Sequence, residues 1–95
     1  MTTYIIAGSS TNKLLTQCEM MGEQLMSGTR LVTVFKVARH PSEWPEFLNA
    51  ICENFGFYKV SDPIIFTAEG VLIGDIEDFQ RLLEGTYKIG FQINI

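Results

Sequence analysis

The sequence predicts an α/β domain in the order β-α-β-α-β-β-α, with a four-stranded mixed sheet and helices on both faces. Three observations predict it. Short apolar runs rich in β-branched residues alternate with longer segments whose apolar residues step by three and four. Residues suited to helix starts, and glycines suited to helix stops, stand at the borders of those longer segments. Finally, the last two apolar runs flank a glycine-containing turn, whereas the first two are joined by a helix. The first pair is therefore parallel with a right-handed crossover, and the last pair is an antiparallel hairpin.

The first strand is Tyr4-Ile5-Ile6-Ala7, and Gly8-Ser9-Ser10-Thr11 after it is a loop rich in helix-capping residues. Between Asn12 and Met26 the residues Leu14, Cys18, Met21 and Leu25 form one apolar stripe, and Ser27-Gly28 is read as a glycine stop. Leu31 to Val37 carries Val32, Thr33, Val34, Phe35 and Val37, a strand composition. His40-Pro41-Ser42 breaks it, with Ser42 as the expected cap of a helix whose stripe is Trp44, Leu48, Ile51 and Phe55. Pro45 falls in the first turn, where its missing N–H costs nothing, and Gly56 ends the helix. Ile64 to Thr67 and Val71 to Ile73 enclose the turn Ala68-Glu69-Gly70 as a hairpin. Asp75 caps a third helix, with Asp78 in a capping-box position, Glu77 beside it, and Ile76, Phe79, Leu82 and Leu83 as the apolar face. From Tyr87 onward apolar residues alternate with polar ones (Tyr87, Ile89, Phe91, Ile93, Ile95). Residues 1–86 are thus expected to be the domain. Residues 87–95 are a tail, either an extra edge strand or the start of a linker to a further domain. An uncovered alternating strand also invites pairing, so a homodimer through the tail is an open alternative.

Ninety-five residues, 46% hydrophobic and 19% charged, describe one globular unit. A net charge of −4 with scattered basic residues argues against nucleic-acid binding, which needs a Lys/Arg surplus on one face. No apolar run approaches the roughly 20 residues of a membrane span. Met1-Thr2-Thr3 carries no basic region ahead of an apolar stretch, so no signal peptide is read and the cytoplasm is the expected location. Cys18, Cys52 and His40 make no CxxC and no metal-ligand spacing, so no metal site is expected.

Asp62-Pro63-Ile64-Ile65-Phe66, Glu69-Gly70, Ile73-Gly74-Asp75, Asp78-Phe79 and Leu82-Leu83 together resemble the second half of glutaredoxins. The resemblance implies a thioredoxin/glutaredoxin-like fold with Pro63 as its cis-proline. The whole chain also resembles the glutaredoxin-like segment that precedes the dehydrogenase part of some malate-dehydrogenase-like proteins of animals. The residues that carry this are Ile5-Ile6-Ala7-Gly8, Trp44, Cys52-Glu53, Pro63-Ile64-Ile65 and Leu72-Ile73-Gly74. No G-x-G-x-x-G dinucleotide turn is present, so the chain itself does not read as a dehydrogenase.

By the same resemblance, the active-site stretch of a glutaredoxin falls on Asn12-Lys13-Leu14-Leu15. Asn12 stands where the nucleophilic cysteine would, and Leu15 where the resolving one would, so thiol–disulfide exchange is excluded there. Cys18 lies on the core stripe, and Cys52 is at most a surface thiol open to glutathionylation. Glutathione, the one cofactor the resemblance suggests, would use Asp62 and Pro63 and the turn Gly74, Asp75, Glu77, Asp78, with Ser9 or Ser10 near its thiol. Asp75 in place of a glycine, and the absence of a lysine ahead of Asn12, speak against it. Trp44 is either a staple on the apolar face or a partner anchor. The expected function is a non-catalytic interaction or scaffold domain with a degenerate active site, whose partner is another protein or a covalently linked dehydrogenase domain. The alternative is a glutathione-binding thiol transferase or sensor that uses a loop serine.

Overall fold

A computed structural model describes residues 2–89. Its elements are β1 (Thr2–Ser9), α1 (Lys13–Gly28), β2 (Val32–Arg39), α2 (Trp44–Phe55), β3 (Ile64–Thr67), β4 (Leu72–Gly74) and α3 (Ile76–Gly85). The sheet order is β2-β1-β3-β4. β1 and β2 run parallel from Thr2↔Val32 to Ser9↔Arg39, β3 lies antiparallel to β1 from Tyr4↔Thr67 to Ala7↔Ile64, and β4 closes the hairpin against β3. The α/β class, the element order and the mixed sheet are those the sequence predicts, and the layout is consistent with a thioredoxin-like one.

β1 and β3 are the central strands, which explains their nearly unbroken apolar runs: both of their faces are covered. Alternate residues serve opposite layers. Tyr4, Ile6, Val32 and Ile65 join Leu15, Cys18, Met21 and Leu25 of α1 and Phe79 and Leu83 of α3 in one core. Ala7, Ile64 and Phe66 meet Trp44 and Ile51 of α2 in the other, with Ile5 and Val37 packed against them. A register slip of one residue would exchange these faces, so two-sided burial holds the pairing.

Three helix borders differ from the sequence reading. Asn12 caps α1 itself, through its own side chain, rather than the serines and threonine before it. α1 runs through Gly28 and closes on Thr29, whose N–H donates to the Leu25 carbonyl, so Gly28 is the last helical residue and not the cap. At α2, Glu43 holds the cap position without a side-chain bond, because the Ser42 hydroxyl pairs with His40 Nδ1 at 2.8 Å. Gly56 does cap α2, in the left-handed conformation.

Beyond α3 the chain folds back. Ile89 N–H donates to the Leu83 carbonyl at 2.9 Å, and the Tyr87 hydroxyl lies 2.7 Å from that of Tyr4. Tyr87 and Ile89 both pack on the α1–α3 core. The alternating segment from residue 90 onward, on which the edge-strand, linker and homodimer expectations rest, lies outside the described residues. Among the described residues no helix is long and apolar enough to cross a membrane.

Candidate functional site

The strand directions gather four pieces of chain at one pole. β1 ends there at Ser9, α1 starts there at Lys13, Asp62-Pro63 leads into β3, and β4 turns into α3 between Gly74 and Asp78. Asn12 sits at the centre of the first three. Its Oδ1 accepts the Leu14 N–H at 2.9 Å, and its Nδ2 donates to the Asp62 carbonyl at 2.8 Å. Asp62 answers with its side chain, whose Oδ1 accepts the Ser9 N–H at 3.0 Å. The Asp62–Pro63 bond is cis, and Pro63 is fully buried. Gly8 lies under this clasp: a Cβ there would come 3.0 Å from Asp62 Oδ1 and 3.1 Å from Leu15 Cδ1, so both side chains would have to give by a few tenths of an ångström.

The second half of the pole is closed in the same way. The Asp78 N–H donates to Asp75 Oδ1 at 3.0 Å, and the Asp75 N–H donates to Asp78 Oδ2 at 3.1 Å, a complete capping box. Gly74 precedes it at φ +127°, a conformation nearly reserved for glycine, and any Cβ there would run into the Asp78 carboxylate. Lys59 Nζ lies 3.2 Å from Asp78 Oδ2, and Arg81 reaches Asp78 Oδ1 at 2.7 Å. The Asp75 N–H, followed by Lys59, holds the Asp78 carboxyl below its ordinary value. The first-turn N–H groups of α3, which attract anions at a free helix N-terminus, thus face carboxylates of the chain itself.

The sequence model of the family described as "Putative malate dehydrogenase 1B N-terminal domain" matches residues 3–94. The chain belongs to that family. A curated relative, "Putative malate dehydrogenase 1B" of Branchiostoma floridae, is 27% identical over 93 residues, covering 92% of this chain and 18% of the relative. The chain therefore spans less than a fifth of that relative's length. No solved structure matches it.

In this member of the family, the residues expected at the site divide into those the fold brings together and those it separates. Ser9, Asn12, Asp62 and Pro63 form one bonded cluster, with Leu15 buried beneath it. Gly74, Asp75 and Asp78 form a second at the same pole. Ser9 is buried, with its hydroxyl 3.3 Å from that of Thr11, while Ser10 is exposed and its N–H donates to the Arg39 carbonyl. Lys13 and Glu77 point to solvent, Glu77 pairing loosely with Arg81 at 3.8 Å, and Leu14 is half-buried against the core. Trp44 is buried in the α2 core beside Phe47, which places it in packing rather than on an anchor surface.

The thiol of α1, Cys18, is fully buried, and burial pushes it up to about 12, with Asp75 adding to the effect. Cys52 is half-buried in the α2 layer. Among the described residues no group of three His, Cys, Asp or Glu side chains is placed to hold a metal ion. Two shallow surface hollows, one lined by Met20, Glu23, Gln24 and Ser27 and one by Arg39, Glu43, Glu46 and Phe47, include none of the clustered residues. Sequence reasoning missed the bond from Asn12 to Asp62 and the ion pair of Lys59 with Asp78. The only signals for the first were an amide at a helix start and an acid before a proline, neither of which names its partner.

Proposed function

We propose that this domain is a non-catalytic interaction module, glutaredoxin-like in descent, carried in front of the dehydrogenase part of a malate-dehydrogenase-like protein. The observation that carries the reading is the double engagement of Asn12. The side chain at the position of a nucleophilic cysteine is spent on closing the pole: it fills the α1 N-terminus and takes the Asp62 carbonyl. In a glutaredoxin-like groove, that helix terminus would lower a thiol's pKa and the backbone beside the cis-proline would pair with a bound peptide. Membership in a family named for its N-terminal position, and a relative more than five times as long, support the attachment to a dehydrogenase part. Two free thiols suit a cytoplasmic location.

The alternative of a glutathione enzyme or sensor that uses Ser9 or Ser10 has less support. Ser9 is buried beside Thr11, and the N-termini of α1 and α3 are capped by the chain's own side chains. The test is a titration of isotope-labelled protein with reduced glutathione, read by amide shifts. No saturable shift at millimolar ligand is expected. Saturable shifts confined to residues 9–13, 62–64 and 74–78 would overturn the reading in favour of a glutathione site. Asn12→Cys refines the answer: thiol-transferase activity in that variant would show that only the side chain, and not the groove, has changed.

A further inference from the structure

We infer that the pole opposite Asn12, built from the ends of α1 and α2 and the β3–β4 turn, is the seat on which the dehydrogenase part of the same polypeptide docks. The inference rests on the reading above for the identity of that part, and on three features of this chain for the place.

The first is exposed apolar surface. All three helices run from the Asn12 pole to the opposite one, where β2 starts and the hairpin turns. Four of the eight large apolar residues exposed among the described residues stand there: Met26 and Leu31, 37% and 69% exposed, at one corner, and Phe55 and Val71, 40% and 58% exposed, at the other. Phe55 lies against Gly70 of the turn, so the second pair is continuous with the hairpin. Neighbouring exposed apolar side chains, such as Phe55 and Val71 beside the hairpin, mark a contact surface more often than scattered single ones do.

The second feature is charge. Each helix C-terminus carries a partial charge of about −0.5. α1, α2 and α3 all end at this pole, and none of them has a basic residue in its last turn. Glu53, Glu69 and Glu84 add negative charge at the same end, against Arg30 and Lys88. A matching surface therefore presents apolar side chains bordered by Lys or Arg, whose cations complete the three helix ends.

The third feature is the path of the chain. Ile89 is held by the Leu83 carbonyl at the end of α3, and its Cδ1 reaches within 3.0 Å of where a Gly28 Cβ would stand, at the end of α1. The backbone therefore leaves the described residues at the pole that is apolar and short of cations. In the Branchiostoma floridae relative about four-fifths of the length lies outside the matched region. A part that follows at this pole has the shortest route to it and a high effective concentration over it. The Asn12 pole is left facing away.

Hydrogen exchange tests this on a polypeptide that carries this chain ahead of its dehydrogenase-like part, compared with the chain alone. Amides of residues 28–33 and 68–72 are expected to slow at least tenfold in the longer polypeptide, independently of concentration, while residues 9–13 and 61–63 stay unchanged. Leu31→Asp combined with Val71→Asp, both at exposed positions, should remove that protection with the far-UV spectrum intact. Protection at residues 9–13 instead, equal exchange in both forms, or protection that grows with concentration as for a second copy, would each overturn the inference. A glutathione response at the Asn12 pole would defeat the proposed function but leave this exchange pattern standing, so the two failures are distinguishable.

Discussion

Replacing Asn12 by alanine tests the central observation most directly. The side chain makes two bonds to parts of the chain far apart in sequence, one to Leu14 N–H and one to the Asp62 carbonyl. Loss of an Asn cap costs about 1 kcal/mol. Loss of the donor to a half-buried carbonyl costs about 1 kcal/mol more. A combined loss of about 2 kcal/mol is therefore expected, which lowers the thermal midpoint of a domain this size by roughly 8–16 °C. The assay is urea unfolding followed by far-UV circular dichroism, with Asn12→Asp and Ser10→Ala as controls. Asn12→Asp keeps the acceptor for Leu14 N–H but sets a carboxylate oxygen against the Asp62 carbonyl, so it should cost at least about 1 kcal/mol. Ser10 is exposed, and its alanine variant should stay within about 0.5 kcal/mol of the parent. If Asn12→Ala proved no more costly than Ser10→Ala, the argument that Asn12 is committed to closing the pole would fail.

Three further outcomes are expected. Tyr87→Phe strips the buried Tyr4 hydroxyl of its 2.7 Å partner and should destabilise the domain by about 1–2 kcal/mol in the same unfolding assay. In alkylation of the native protein near pH 8, mass spectrometry should find Cys52 modified and Cys18 protected until the chain unfolds, because buried Cys18 holds its proton up to about 12. For the same reason the unfolded chain ionises first as pH rises above the ordinary thiol value of about 8.5, so stability should decline from there upward. Asp78 works in the opposite direction: its folded pKa is lowered, so its contribution is present above the ordinary 3.8 and lost as pH falls through the lowered value. Acid unfolding of Asp78→Asn, compared with the parent, should therefore show a shallower loss of stability below pH 4.

The sequence by itself determined the element order and the two-layered core. Ile6 and Ala7 cannot both be buried unless both faces of their strand are covered, and Leu14, Cys18, Met21 and Leu25 share one helix face at any helix start nearby. The Asp75–Asp78 box was legible because a capping box is a local pattern, closed within four residues. Likewise, that Asn12 and Leu15 are not cysteines needed only residue identity. Where local rules offered several candidates, the tertiary structure chose among them. Ser9, Ser10, Thr11 and Asn12 all suit a helix start, and Asn12 alone reaches Asp62, 50 residues away, with a donor to spare. Ser42 suits a cap equally well, yet its hydroxyl goes to His40 Nδ1. Gly28 suits a stop, yet α1 passes through it and Ile89 packs over it. Local preferences differ by about 1 kcal/mol or less, so a single long-range bond or contact is enough to decide between them.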